Sequence, residues 1–507
     1  MGQEDSQKRL KIMQNLMKDY SANGSLSLEY EEGKGTYTLV QKDLSHRADT
    51  LEIPASMIMS VYDEFPFKKT LMDVMEKIPE TANFLPRPRN PNDIYSSAVL
   101  LTMQVLVNLN VKRKTLDSKF PQYKDVSLYI EDCEVCHDFI FNLPTHKDID
   151  HPNQWEKEEV ELYQKISIVG FGFRNIGQTY DRIIQALKEE NSPEAKFIVK
   201  KVIPDKKQFI WAYNMVNTRS FVIKIGKYAA INGLYQARVP NMQLNRKFVA
   251  SQNNALIPVF DVINMIVPQR HNFVNISNDD IKKYHLRKFY LVPKNNSLSL
   301  QVDGSFKQGE EYGFAYTTKF ACKSILSIYG FAVKNGLGEQ ISFSLENEIP
   351  QQNYELCAVV RCVANPNNLS KTARLNFKIS FLDDAEDEEA LLNFYRITVY
   401  DFPPEDLGKD IKSLGKHMIN NLNTYGYISI ENEIKAVTKT VGILEEFYEG
   451  YPLDIPDDLE SLPNRKKMSY YCAIDQRNVV LWHITNLHNR LVWLITQEAE
   501  ERNLVEI

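Results

Sequence analysis

Cysteine is scarce, at six in 507 residues, too few for a chain held together by a disulfide framework. The thiols are expected to be reduced. A basic excess is missing as well. Lys and Arg number 60 against 66 Asp and Glu, a net charge of −6, which excludes broad electrostatic binding to nucleic acid. Long apolar runs are absent. The two longest candidates, Ser96–Val111 and Val479–Ile495, contain Gln104, Asn108 and Asn110, and His483, Asn486, His488 and Arg490 respectively. Both therefore read as buried or amphipathic helices and not as membrane spans. No basic-then-apolar leader opens the sequence, so export is not expected. Gly2 and Ser6 fit a myristoylation pattern, but Glu4 and Asp5 leave no polybasic second anchor. No nucleotide-binding Gly-x-x-x-x-Gly-Lys-Ser/Thr loop and no Gly-x-Ser-x-Gly elbow occurs, so phosphate cradling and α/β-hydrolase chemistry have no support. The nine histidines show no metal-ligand spacing, and no metal site is expected.

What is present is an ordinary globular composition, 43% hydrophobic and 25% charged, in a chain long enough for several domains or one composite unit. Residues 5–20 carry Leu10, Met13, Leu16, Met17 and Tyr20 at helical spacing, and Asn23-Gly24 ends that helix. Leu26, Leu28 and Tyr30 alternate with polar residues, Gly33-Lys34-Gly35 forms a turn, and Thr36–Val40 and Thr50–Ile53 read as short strands. Helical patterning follows over 69–111, broken by Pro86, Pro88 and Pro91, and again over 125–200. Residues 206–220 read as an amphipathic helix, 220–320 and 341–381 as strand-rich blocks, and the remainder as mainly helical. The acidic run from Asp383 to Glu389 suits the first turn of a helix over Ala390–Tyr400.

Two strings imitate known sites. Cys133-Glu134-Val135-Cys136-His137 matches the haem-attachment pattern, but no second Cys-x-x-Cys completes a zinc tetrahedron. Two semi-buried helical thiols are the expectation there. Gly170-Phe171-Gly172, with Gly177 following, departs from the dinucleotide fingerprint, because its third glycine comes five residues after the second instead of three.

Three further segments carry weight together. They are Gly33-Lys34-Gly35 with Leu51-Glu52-Ile53-Pro54; Phe209–Ala212 and Asn217–Phe221 with Leu256–Met265; and Gly309-Glu310-Glu311, Tyr316 and Tyr329-Gly330-Phe331. In this order they resemble a SET-domain protein N-methyltransferase of the Rubisco large-subunit methyltransferase class, which includes the actin-histidine methyltransferase. The resemblance spans nearly the whole chain. Asn23-Gly24, then Phe141–Pro144 with Pro152 and Trp155, and finally Ile428–Glu433, Tyr451-Pro452 and Asp457-Asp458-Leu459 match family landmarks.

The resemblance implies an α+β fold: a knotted β-rich SET core with a helical insert, followed by a mainly helical substrate-binding lobe. The implied layout is an N-terminal helix over 1–20, SET halves over 21–110 and 205–335, the insert over 111–204, and the lobe over 336–507. It also implies S-adenosylmethionine as cofactor, contacted by Gly33, Gly35, Arg219, Asp261, Asn264, Met265 and Phe331. Tyr316 falls at the catalytic position, and the substrate is a protein lysine or histidine. Arg219 and Asp261 are equally the right types for a buried ion pair, and Tyr316 for a strand aromatic. The family's Asn-His reads Asn264-Met265 here, Thr317–Cys322 lacks the usual Gly and Ser-Asn and is one residue longer, and Thr36-Tyr37 follows the glycine turn. These departures keep open a second reading, a catalytically silent subunit of a cytoskeletal or axonemal assembly. Either way the partners are proteins, with no nucleic acid or membrane, and the expected location is cytoplasmic.

Overall fold

The computed structural model describes residues 3–31, 35–60, 63–78, 97–126, 128, 139–140, 143–144, 150–168, 176–224, 252–265, 288–294, 297–314, 316, 322–333, 340–348, 356, 372–380, 386–402, 410–450 and 453–505. Gly33, the Cys133–His137 string and Gly170–Gly172 lie outside them.

Helix α1, Gln3–Tyr20, buries Met13, Leu16 and Met17 and is tied to the first strand by the Gln14 amide on the Leu28 carbonyl, at 3.0 Å. It ends at Tyr20, Ser21 is extended, and the 3-10 turn Ala22–Gly24 follows, in which Asn23 and Gly24 both take positive φ, a conformation that Asn and Gly tolerate at low cost. Strands β1, Leu26–Glu31, and β2, Gly35–Val40, form an antiparallel hairpin with Leu26 opposite Val40 and Glu31 opposite Gly35. Leu26 and Leu28 face inward, as their alternation dictates.

The remaining core strands pair across large sequence distances. They are β3, Leu51–Pro54; β4, Met59–Ser60; β5, Ser220–Lys224; β6, Gln252–Leu256; β7, Phe289–Lys294; and β8, Ser297–Val302. One antiparallel sheet has the order β3-β8-β7, the other β4-β6-β5. Early strands are thus completed by strands that follow the helical segment. Asp49 holds the first sheet's margin. It accepts from Ser299, Gln301 and Lys294, and these hydrogen bonds outweigh its partial burial and draw its pKa to about 2.

The helices come between these strand groups: α2, Lys68–Glu76; α3, Ser97–Asn110; α4, Arg113–Lys119; α5, Lys157–Ile166; α6, Ile176–Glu190; α7, Pro193–Phe197; and α8, Lys206–Arg219. Gly177 lies in the first turn of α6. Helix α3 is buried from Val99 to Asn108, with Thr102 and Gln104 inside. Asp205 caps α8 by accepting from the Lys207 and Gln208 amides. The expectation of an amphipathic α8 is corrected. Phe209, Ala212, Tyr213, Asn214, Met215 and Val216 are all buried, because the helix is packed on several sides by α3, α6 and β6. The β-rich core is likewise shared with helices, since α3, α6 and α8 join the same hydrophobic cluster as the strands.

The segment Gly309–Phe314 runs between β2 and Asn264-Met265. Gly309 N donates to Val40 O, Tyr312 N to Thr38 O and Phe314 N to Asn264 O. The expected strand over Tyr312–Tyr316 is replaced by single bridges, Leu39 with Glu311 and Met265 with Phe314.

Helix α9, Cys322–Tyr329, leads to a second unit with its own core. It comprises the β9–β10 ladder, Gln340–Glu348 with Thr372–Ser380, and helices α10, Glu386–Thr398; α11, Ile411–Tyr425; α12, Ile430–Glu449; and α13, Asn464–Val505. Its buried centre is Arg396 against Glu433, Nε to Oε2 at 2.6 Å and Nη2 to Oε1 at 2.8 Å, both side chains fully inaccessible. The expectation of reduced thiols is corrected at one pair. Cys322 on α9 and Cys472 on α13 are joined as a disulfide. Among the described residues no helix is long and apolar enough to cross a membrane.

Candidate cofactor and catalytic site

Arg219 ends α8, and Asp261 sits in the 3-10 turn Phe260–Val262. The turn follows Val259, whose φ of 72° is unusual for a β-branched residue and costs about 1–3 kcal/mol. The turn brings the Asp261 carboxylate under the guanidinium, Nη1 to Oδ2 at 2.6 Å, with Nη1 also facing the Asp261 carbonyl at 3.3 Å. Asp261 is buried and Arg219 a quarter exposed. Burial pushes the Asp261 carboxyl above its ordinary range, and Arg219 opposes that shift. Asp261 Oδ1 is buried with no hydrogen-bond partner among the described residues.

Three residues on, the Asn264 amide donates to the Thr36 carbonyl at 2.8 Å and lies 3.5 Å from Glu311 Oε1. This contact brings Gly35, the residue before Thr36, into the neighbourhood of Asn264. The Tyr316 hydroxyl donates to the Ile263 carbonyl at 2.5 Å. Burial pushes that phenol well above its ordinary value, with Arg219 opposing and Asp261 reinforcing, so it is protonated at any physiological pH. The Tyr329 ring packs at a tilt 5.0 Å from the Tyr316 ring, and its hydroxyl donates to the Tyr316 carbonyl at 3.2 Å. Its own pKa is raised to about 12 by burial. The rings of Phe314, Tyr316, Tyr329 and Phe331 form a continuous aromatic file. Met265 packs with Tyr329 and Phe331 against Ile325 and Val333.

Of the residues named from the sequence, Gly35, Arg219, Asp261, Asn264, Met265, Tyr316 and Phe331 lie at or next to the turn 259–265, and Gly33 lies outside the described residues. Arg219, Asp261, Asn264 and Tyr316 are linked through it by hydrogen bonds. Met265 and Phe331 contribute apolar surface.

Sequence reasoning missed His151. Its ring is buried, its Nδ1 accepts from Asn153 N, and its backbone lies against Gly330. Gly330 has φ +79°, and a Cβ there would sit 3.0 Å from His151 Cα. Gly330→Ala is expected to cost about 1–3 kcal/mol, from left-handed strain plus a backbone clash. A urea titration checks this as a lowered midpoint.

Burial lowers the His151 pKa from 6.5 to about 4, with the Ser327 and Ile328 backbone opposing. Between those values the unfolded chain binds the proton and the native chain does not. Stability therefore falls as pH drops from about 6.5 towards 4, by roughly 3 kcal/mol in full. His151→Asn, which keeps an acceptor for Asn153 N, is expected to lose less stability between pH 7 and pH 4.5 than the parent. Urea midpoints at the two pH values measure this.

No protein-family model matches the chain, and no curated protein sequence matches it. Among solved structures it is similar to Rubisco LSMT bound to AdoMet, at 15% identity and a TM-score of 0.47, over 99% of this chain and 96% of that one. It is also similar to the SET domain of LSMT bound to lysine and AdoHcy, at 15% identity and a TM-score of 0.49, over 97% and 92%. A third is Rubisco LSMT bound to sinefungin and monomethyllysine, at 15% identity and a TM-score of 0.48, over 97% and 93%.

Proposed function

We propose that this chain is a SET-type, S-adenosylmethionine-dependent methyltransferase-like protein that acts on a lysine or histidine side chain of another protein. The observation that carries the reading is convergence. Residues 36, 219, 261, 264 and 316, far apart in sequence, are tied together around one turn by direct hydrogen bonds.

The residues present fit the amino-acid end of that cofactor. Both hydrogen bonds of Arg219 use Nη1, so Nε and Nη2 have no partner among the described residues and suit a carboxylate. The orphaned Asp261 Oδ1 suits an N–H donor brought into the site. Asn264 and Met265 line the turn, Phe331 offers an apolar face, and Gly35 permits close backbone approach. When bound, the cofactor supplies an electrophilic methyl group on a sulfonium sulfur.

The chain's own contribution is positional. Tyr316 keeps its proton, and its bond to Ile263 O fixes the ring. The file Phe314, Tyr316, Tyr329 and Phe331 presents aromatic faces that tolerate a cation and excludes water. Water exclusion disfavours the charged form of an incoming amine, which frees its lone pair. Alignment of that lone pair provides the greater part of such a rate.

One set of observations favours the alternative, a silent structural subunit of a protein assembly. The Asn264 amide and the Tyr316 hydroxyl are already bonded within the chain, and Met265 offers no ring nitrogen. The test is transfer of tritiated methyl from S-adenosylmethionine into extracts of cells that lack this protein, followed by acid hydrolysis. Label in methyllysine or methylhistidine supports the enzyme. No label, from protein that still joins its cytoplasmic assembly, supports the subunit.

A further inference from the structure

We infer that the Cys322–Cys472 pair is a redox-sensitive clasp that sets how firmly the C-terminal helix α13 holds α9, and through α9 the Tyr316 ring. The bond joins positions 150 residues apart, and both cysteines are buried in a small cluster with Trp155, Tyr163, Leu326 and Met468.

Helix α13 has two anchors on this side of the molecule. To the α5 region it is bound by polar contacts: Arg465 Nε to Asp150 at 3.0 Å, Arg465 Nη1 to Glu159 at 3.0 Å, and Ser167 Oγ to Gln476 at 2.9 Å. To α9 it is bound by the disulfide and apolar packing. Opening the disulfide therefore leaves α9 held to α13 by apolar packing alone, while α13 keeps its polar contacts to α5.

Helix α9 is eight residues long and ends in Tyr329, whose ring and hydroxyl both bear on Tyr316. Asn217 Nδ2 also donates to the Ile328 carbonyl, at 3.1 Å, and the Ser327 and Ile328 backbone faces the His151 ring. A helix this short has little stability of its own, so its order depends on what holds it.

The chemistry is thiol–disulfide exchange with a dithiol. A thiolate of the dithiol attacks one sulfur and forms a mixed disulfide, and the other cysteine leaves as a thiolate and takes up a proton. The second thiol of the dithiol then displaces the remaining cysteine. Two protein thiols and one oxidised dithiol result. A glutathione disulfide buffer reverses the change, forming the protein disulfide as one glutathione disulfide is reduced to two glutathione thiols.

The inference stands apart from the cofactor reading, because its test uses neither cofactor nor substrate. Full-length protein is equilibrated in a glutathione disulfide buffer, then compared with and without dithiothreitol by hydrogen exchange and by peptide mapping after alkylation. The expected result is a Cys322–Cys472 linked peptide before reduction. After reduction, amide exchange over Ile325–Tyr329 is expected to quicken by about tenfold or more, while β3 and β8 are unchanged, with reversal on reoxidation. Cys472→Ala without reductant should match the reduced parent. If that variant does not fold, the reduced parent alone decides the outcome. Absence of the linked peptide would overturn the inference. So would unchanged exchange at α9, or acceleration spread evenly over the whole chain.

Discussion

Glu433→Ala is expected to destabilise the C-terminal unit by about 3–5 kcal/mol. The glutamate is wholly buried and accepts from Arg396 Nε and Nη2, with Arg490 Nη2 2.5 Å from Oε1. Arg396 is also wholly buried. Its further contacts include the Asn393 side chain and the Gly426 carbonyl, and Asn432 donates to its backbone carbonyl. Removing the carboxylate leaves a buried guanidinium with no counter-charge, which costs far more than a surface pair would. Trp482 packs on this core, so its fluorescence in a urea titration reports the local transition. The double variant Arg396→Met with Glu433→Leu removes both charges at similar volume and is expected to recover most of the loss. A double variant as unstable as Glu433→Ala would show that packing, and not charge, is at stake.

Tyr316→Phe should lower methyl transfer by about 10²–10³ while leaving fold and cofactor affinity in place. The substitution deletes only the hydroxyl that donates to Ile263 O, and the ring keeps its neighbours Phe314 and Tyr329. Single-turnover transfer of labelled methyl, with circular dichroism as the folding control, reads the effect. Unchanged transfer would remove Tyr316 from the reaction. In cells lacking the protein, full rescue by Tyr316→Phe would favour the subunit reading.

Local structure was legible wherever the chain carries its own punctuation. Asn23-Gly24 turns the chain just after α1 through positive φ at both residues. The alternation of Leu26 and Leu28 sets the inward face of β1, and Asp205 starts α8 by capping it. The candidate residues were picked out through a resemblance between ordered segments, and direct bonds link Arg219, Asp261, Asn264 and Tyr316 around one turn.

What stayed hidden depends on pairing at long range. Nothing near Leu51 announces Leu300 as its partner, and nothing near Cys322 announces Cys472. Arg396 and Glu433 are 37 residues apart and meet only when α10 and α12 pack together. Helix α8 was misread because neighbours enclose it on several sides, which local periodicity does not report. The segment to Tyr316 looked like a strand, yet it makes only single bridges to two different partners. His151 and Gly330 form a contact that neither sequence neighbourhood suggests.

The measurement that bears most directly on the central claim is calorimetric titration of S-adenosylhomocysteine into the parent protein and into Arg219→Ala. Arg219 pairs with Asp261 through Nη1 alone, which leaves Nε and Nη2 without a partner among the described residues. The account predicts saturable one-to-one binding by the parent and loss of that binding in a folded Arg219→Ala protein. Absence of binding by the folded parent, or equal binding by both, would contradict it.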